Sequence, residues 1–224
     1  MEYGSIMNEV QIEESASKGY FDTRYTFDPL RKAVWRAIVE NLQRKFISTN
    51  SHVLELGCGY GDFINQVVAE KKLAIDIEDV HKLLDKRVIF FNQDVTQLDS
   101  IDDNTLDIVF ASNLLEHLDI DNVSLVLSEV FKKLKSKGKI ILLQPNFRLC
   151  YKNYFDDYTH RTAFTDESLS GILLAHGFNI KYRKPGYLPF SMQGVLPKSY
   201  WLTRMYLSLG SPIMGTQMLI VGIK

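Results

Sequence analysis

Apolar positions follow two different periods along this chain. From Pro29 to about residue 46, Leu30, Val34, Ile38 and Leu42 recur every fourth residue, which marks one face of an amphipathic helix. Asp28 followed by Pro29 supplies a capping carboxylate and then proline at the first helical position. Beyond that helix the pattern changes to short unbroken apolar runs at 53–56, 73–77, 88–91, 106–111 and 140–143, each expected to be a strand. Helical segments are expected between them at 63–69, around 80–84 and at 123–134, with Lys137-Gly138-Lys139 as a helix stop. A helix at 166–176 closed by Gly177 and strands at 179–183 and 217–223 complete the reading.

Strands that are apolar throughout and alternate with helices predict a parallel sheet covered on both faces. Right-handed crossovers then give an α/β, doubly wound fold. The last run, QMLIVGIK, has no clear helix before it and is expected to enter antiparallel. Residues 1–27 read as a polar lead-in with scattered aromatics, and 28–224 as one domain. Residues 184–212, rich in Pro, Gly, Tyr and Leu, form an inserted, lid-like segment with a short helix near 198–209.

Composition narrows the class. With 224 residues, 46% hydrophobic and 24% charged, the chain can bury a core without staples. Its two cysteines, Cys58 and Cys150, are too few for a disulfide framework or a four-thiolate zinc site, and read as reduced thiols of a cytoplasmic protein. The first residues lack a signal-peptide pattern, and no apolar stretch is long enough to span a membrane. The formal charge of −1 argues against a general nucleic-acid binder. That sum hides an asymmetry, because no Asp or Glu follows Glu167 while Lys181, Arg183, Lys184, Lys198, Arg204 and Lys224 do.

The densest chemistry lies at Glu55-Leu56-Gly57-Cys58-Gly59-Tyr60-Gly61-Asp62, where an apolar run ends in Gly-x-Gly-x-Gly. Glycines permit positive φ and let a ligand approach the backbone. The dinucleotide fingerprint needs its third glycine one residue later, where Asp62 stands and would repel a pyrophosphate. A ligand with an amino-acid end fits better. Asp76, at the end of the second strand, can accept both hydroxyls of a ribose. Asp94, after the third strand, can accept from an adenine amine, with the Val95 N–H reading a ring nitrogen. Together these sites describe a nucleoside with an amino-acid tail.

This ordered set, with the run Asp107 to Leu118 (DIVFASNLLEHL), resembles the class I S-adenosylmethionine-dependent methyltransferases over about residues 28–183 and the last strand. The resemblance implies a Rossmann-like methyltransferase fold, a seven-stranded sheet in the order 3-2-1-4-5-7-6 with strand 7 antiparallel. It implies S-adenosylmethionine as cofactor and S-adenosylhomocysteine as product. The cofactor would be held by Glu55, Gly57, Cys58, Gly59, Gly61, Asp76, Ile77, Asp94, Val95, Asn113 and Leu114. A looser resemblance, carried by Trp35, Leu143-Gln144-Pro145-Asn146 and the LTRMYLSL segment, points to tailoring enzymes of surface polysaccharides or glycolipids.

His160 is the expected general base, since an imidazole titrates near ~6.5 and a hydroxyl acceptor must lose its proton. Asp156 or Asp157 would orient it. Glu116 and His117 read as packing and capping groups. The five histidines are too scattered in sequence to propose a metal set. The expected function is methyl transfer to a small-molecule or glycoside/glycolipid acceptor at oxygen, with possible peripheral contact to a membrane. The alternatives are a noncatalytic S-adenosylmethionine-binding module or, against the glycine spacing, a nicotinamide-dependent oxidoreductase.

Overall fold

In the computed structural model, residues 29–189, 198–210 and 215–224 are described. The expected lead-in, the Asp28 cap and the middle of the 184–212 segment therefore lie outside the described residues. The apolar runs become β1 (His52–Leu56), β2 (Lys71–Asp76), β3 (Val88–Asn92), β4 (Leu106–Ser112), β5 (Leu134–Pro145), β6 (Asn179–Leu188) and β7 (Gln217–Ile223). They form one seven-stranded sheet in the order β3-β2-β1-β4-β5-β7-β6. β1 to β5 pair in parallel, and β7 runs antiparallel between β5 and β6.

Alternation along each central strand sorts side chains into two cores. Leu54, Leu56, Val109, Ala111, Ile140 and Leu142 face α2 (Ile120–Lys133) and α4 (Asp166–Ala175), with the single turn α3 (Phe147–Cys150) between them along the chain. Val53, Ile108, Phe110, Ile141 and Leu143 face the other way, onto Val34, Trp35, Ile38 and Leu42 of α1 (Pro29–Phe46). Leu207 of α5 (Tyr200–Ser208) joins that second core, and the Tyr200 hydroxyl donates to Glu40 of α1 at 2.6 Å. The short helix expected near 198–209 is thus present, and it lies against α1.

Two local expectations fail. Residues 60–66 form successive turns, and no α-helix follows the glycine run. The physical reason is competition for the backbone: the Ile64 N–H donates to the Glu55 carboxylate at 2.9 Å, and the Asp62 carbonyl accepts from the Gln66 side chain at 2.8 Å. Gly61, at φ +69°, is also outside the right-handed region. Lys137-Gly138-Lys139 does not stop a helix; α2 ends at Lys133 and the chain passes directly into β5. The pairing jumps from Leu106 with Leu134 to Ile108 with Lys139, so residues 135–138 bulge out of the ladder and Lys139 resumes it.

The charge asymmetry is partly absorbed within the fold. Arg183 lies 3.8 Å from Asp166, Arg204 donates to the Tyr200 hydroxyl that in turn bonds Glu40, and the Lys224 ammonium caps the Leu134 carbonyl at 2.7 Å. No helix among the described residues is long and apolar enough to cross a membrane.

Candidate functional site

Parallel register brings the expected residues to one edge. Leu56 is level with Ile75 and Ala111, Asp76 with Asn92, and Ser112 with Leu143. The residues just past these positions therefore share the carboxyl end of the sheet, where open α/β sheets bind ligands.

The glycine turn is held from both sides. Gly57 and Cys58 donate to the Ile75 carbonyl at 2.9 and 3.2 Å, and the Gly59 N–H donates to Asp76 Oδ2 at 2.7 Å. Gly57 and Gly59 have φ of +64° and +48°. A Cβ on Gly57 would come within 2.9 Å of the Leu114 side chain, so Leu114 roofs the turn from the end of β4. Asp62, expected to repel a pyrophosphate, is paired with Arg31 of α1 at 2.6 Å. That pair fastens the helix to the turn and removes much of the repulsion.

Asp76 is buried, and its second oxygen accepts from the Glu78 N–H at 3.0 Å. Burial raises its carboxyl above the usual range, while the Glu78 and Gly59 amides pull it back. Each oxygen accepts one backbone bond and keeps a lone pair for another donor. Ile77, the next residue, is exposed. The Asn92 amide clips the ends of β2 and β3 together by donating to the Asp76 and Ile77 carbonyls at 3.2 and 2.8 Å. Asp94 begins a turn in which its Oδ1 accepts both the N–H and the hydroxyl of Thr96, at 2.7 and 2.6 Å, and Val95 is buried. Glu55 and Cys58 are buried below the turn, and desolvation pushes both of their acid groups upward.

Across the sheet, Asn113 has φ +48° and its side-chain oxygen accepts from Gln217 of β7 at 2.8 Å. One 3-10 turn later, at Leu115–His117, stand Glu116 and His117. The loop after β5 folds back onto this turn. The Arg161 and Thr162 N–H groups donate to the Glu116 carbonyl at 2.8 and 3.1 Å, and the Thr162 hydroxyl donates to the Leu118 carbonyl at 2.6 Å. His160 thereby lies against His117, with ring centres 5.0 Å apart.

The Nδ1 of His160 faces the Tyr154 carbonyl at 2.6 Å, while Asp157 Oδ1 accepts from the Thr159 hydroxyl at 2.6 Å. Asp156 accepts from Asn153. Burial weighs against the charge on Asp157, yet the Thr159 bonds and the nearby His117 and His160 rings hold its carboxyl below the ordinary value.

Glu116 is the group that the sequence reading assigned to packing and capping. It is 1% exposed, and no other described residue gives either carboxylate oxygen a hydrogen bond. Burial pushes its carboxyl up to about 8; its own backbone N–H pulls the other way, and the charge on Asp157 adds a little to the rise. Burial and then His160 hold the His117 imidazole down to about 4. The local pattern offered one signal only, an acid and an imidazole adjacent in sequence directly after a buried strand. Gln144, at the end of β5, is also buried without a partner among the described residues.

Comparison with known proteins follows the same outline. Residues 27–182 match a family model described as a methyltransferase domain. Over 159 residues the chain is 29% identical to an uncharacterized protein of Methanocaldococcus jannaschii, covering 66% of this chain and 67% of that one. It is 32% identical over 106 residues to phosphoethanolamine N-methyltransferase 1 of Triticum aestivum, covering 42% of this chain and only 21% of the wheat protein. A crystal structure of a SAM-dependent methyltransferase from Archaeoglobus fulgidus shares the fold with a TM-score of 0.63 at 22% identity, over 93% of this chain and 99% of the other.

Proposed function

The chain belongs to the class I S-adenosylmethionine-dependent methyltransferases, and from that premise we propose that it methylates a hydroxyl of a small-molecule or glycoside/glycolipid acceptor at the carboxyl edge of its sheet. S-adenosylmethionine supplies a methyl group on a sulfonium, activated for attack by a nucleophile. The residues of the edge fit that cofactor. Side-chain-free Gly57, Gly59 and Gly61 offer backbone to the methionine portion. Asp76, desolvated and held by two amides, offers its remaining lone pairs to the ribose. Asp94 and the Val95 N–H are assigned to adenine, with Ile77 beside them. Asn113 and Leu114 close the side toward the acceptor, and Glu55 and Cys58 support the turn from below.

The observation that carries the choice of oxygen is the pair of imidazoles beside Glu116, immediately past the residue that roofs the glycine turn. An attacking hydroxyl must lose a proton, and His160 has its Nδ1 on a carbonyl, which leaves Nε2 as its basic nitrogen. The exposed apolar side of α5, with Trp201 71% accessible and Leu209, just past its end, 73% accessible, supports an acceptor carried on a lipid. The test is incubation with methyl-labelled cofactor and a panel of glycosides, glycolipids and amines, read by mass spectrometry. Methylation at oxygen is expected. Transfer to amines alone would refute the oxygen assignment, and cofactor binding without any turnover would favour a binding module.

A further inference from the structure

We infer that Glu116, His117 and His160 form a binding site for a divalent transition-metal ion. Sequence spacing hides this set, because His160 reaches the other two only through the fold-back of the loop after β5 onto the Glu116 carbonyl. Once assembled, one carboxylate oxygen and one ring nitrogen from each histidine lie within 4.8 Å of one another. Donors around a single ion with bonds of ~2.0–2.2 Å stand about 3.3–3.6 Å apart in a tetrahedron, so the three atoms need close in by no more than about 1.5 Å to share one.

Two further observations point to a ligand. The Glu116 carboxylate is almost fully buried, and no other described residue gives either oxygen a hydrogen bond. Buried acids are ordinarily paired, so an orphan of this kind needs an explanation. A cation beside it supplies one.

The second is the wiring of the two rings. His160 Nδ1 faces the Tyr154 carbonyl at 2.6 Å, so that nitrogen carries the proton. The Thr159 hydroxyl gives its hydrogen to Asp157, and therefore accepts from His117 Nδ1 across 2.9 Å. Both rings consequently present Nε2 as the lone-pair nitrogen. Histidines that ligate metals have this outer arrangement, with the far N–H held by a carbonyl or, through a relay, a carboxylate.

Two imidazoles and one carboxylate suit zinc, iron(II), cobalt(II) or manganese(II), and not calcium or magnesium, which prefer all-oxygen sets. Three protein ligands also leave a coordination position open. This inference extends the proposed function without depending on it: a hydroxyl in the open position would have its pKa lowered by the ion. In the loaded protein His160 would be a ligand rather than the base, and the proton of the ion-bound hydroxyl would leave to solvent water.

The experiment uses the full chain stripped with a chelator. Titration with cobalt(II), followed by visible absorption, and with zinc, followed by calorimetry, should each show one equivalent bound. Glu116→Gln and His117→Ala should each weaken binding by about tenfold or more, while S-adenosylhomocysteine binding, measured separately, persists. No cobalt spectrum and no zinc heat from the folded wild-type chain would overturn the site, whatever the variants do. So would binding of undiminished affinity in a folded Glu116→Gln, His117→Ala double variant. Metal binding without S-adenosylhomocysteine binding would instead leave this site standing and refute the cofactor assignments above.

Discussion

Replacing Asp76 by alanine separates a ligand-binding carboxylate from a turn fastener. Asp76 carries two backbone bonds, 2.7 Å from Gly59 and 3.0 Å from Glu78. A ribose bound in front of it would add two more charge-assisted bonds, each worth about 1.5–3 kcal/mol. Water can enter the truncated site and recover part of that loss. A net cost of about 1.4–3.5 kcal/mol then corresponds to a tenfold to several-hundredfold rise in the dissociation constant. Calorimetric titration with S-adenosylhomocysteine measures it, and thermal unfolding of the free variant shows whether the turn survives. Asp76→Asn keeps one acceptor oxygen but loses the charge, so its affinity should fall between the other two. An unchanged dissociation constant in a variant that melts like the wild type would refute the reasoning and reduce Asp76 to a turn residue.

Four other outcomes are expected. Gly61→Ala should lower the melting temperature, because its Cβ would lie 2.6 Å from both the Asn65 amide and the Leu84 side chain at a φ of +69°; an unchanged melting temperature would show that the turn relaxes freely. Glu55 is buried and its carboxyl is raised, so its folded form loses stability as pH rises from the unfolded value through the raised one. Glu55→Gln, which keeps an acceptor for the Ile64 N–H, should therefore gain stability over wild type at pH 8 and little at pH 4, as read by urea unfolding; a pH-independent difference would contradict the assignment. His160→Ala should lower turnover by roughly a hundredfold while leaving cofactor affinity intact, and full turnover would make His160 a packing residue. Sedimentation with anionic liposomes should pellet the protein at low salt and less at high salt, with a Lys198→Glu, Arg204→Glu variant pelleting least; equal and negligible pelleting of both would remove the membrane contact.

The sequence determined what depends on near neighbours. Unbroken apolar runs require burial on both faces, so they marked the strands and the parallel sheet, and the lack of a clear helix able to return the chain for parallel pairing marked β7 as antiparallel. Gly57, Gly59 and Asp76 were legible because a strand end carries its glycines and acids within a few residues. Parallel register then brings successive strand ends together without further information.

What escaped the sequence was settled by groups distant along the chain. Residues 60–66 have a composition compatible with a helix, but the Glu55 carboxylate captures the Ile64 N–H, and that competition exists only once the turn has closed over β1. Lys137 to Lys139 resemble a helix stop, yet Lys139 pairs with Ile108 of β4 and the residues before it form a bulge in β5. Asp62 looked like a bare charge until Arg31 of α1 was brought against it. Glu116, His117 and His160 give no local sign of association. Their meeting depends on backbone bonds from Arg161 and Thr162 to the Glu116 carbonyl, contacts between separate loops that no periodicity or propensity encodes. Periodicity records which faces must leave water, whereas the partners of buried polar groups depend on which strand ends the sheet sets side by side.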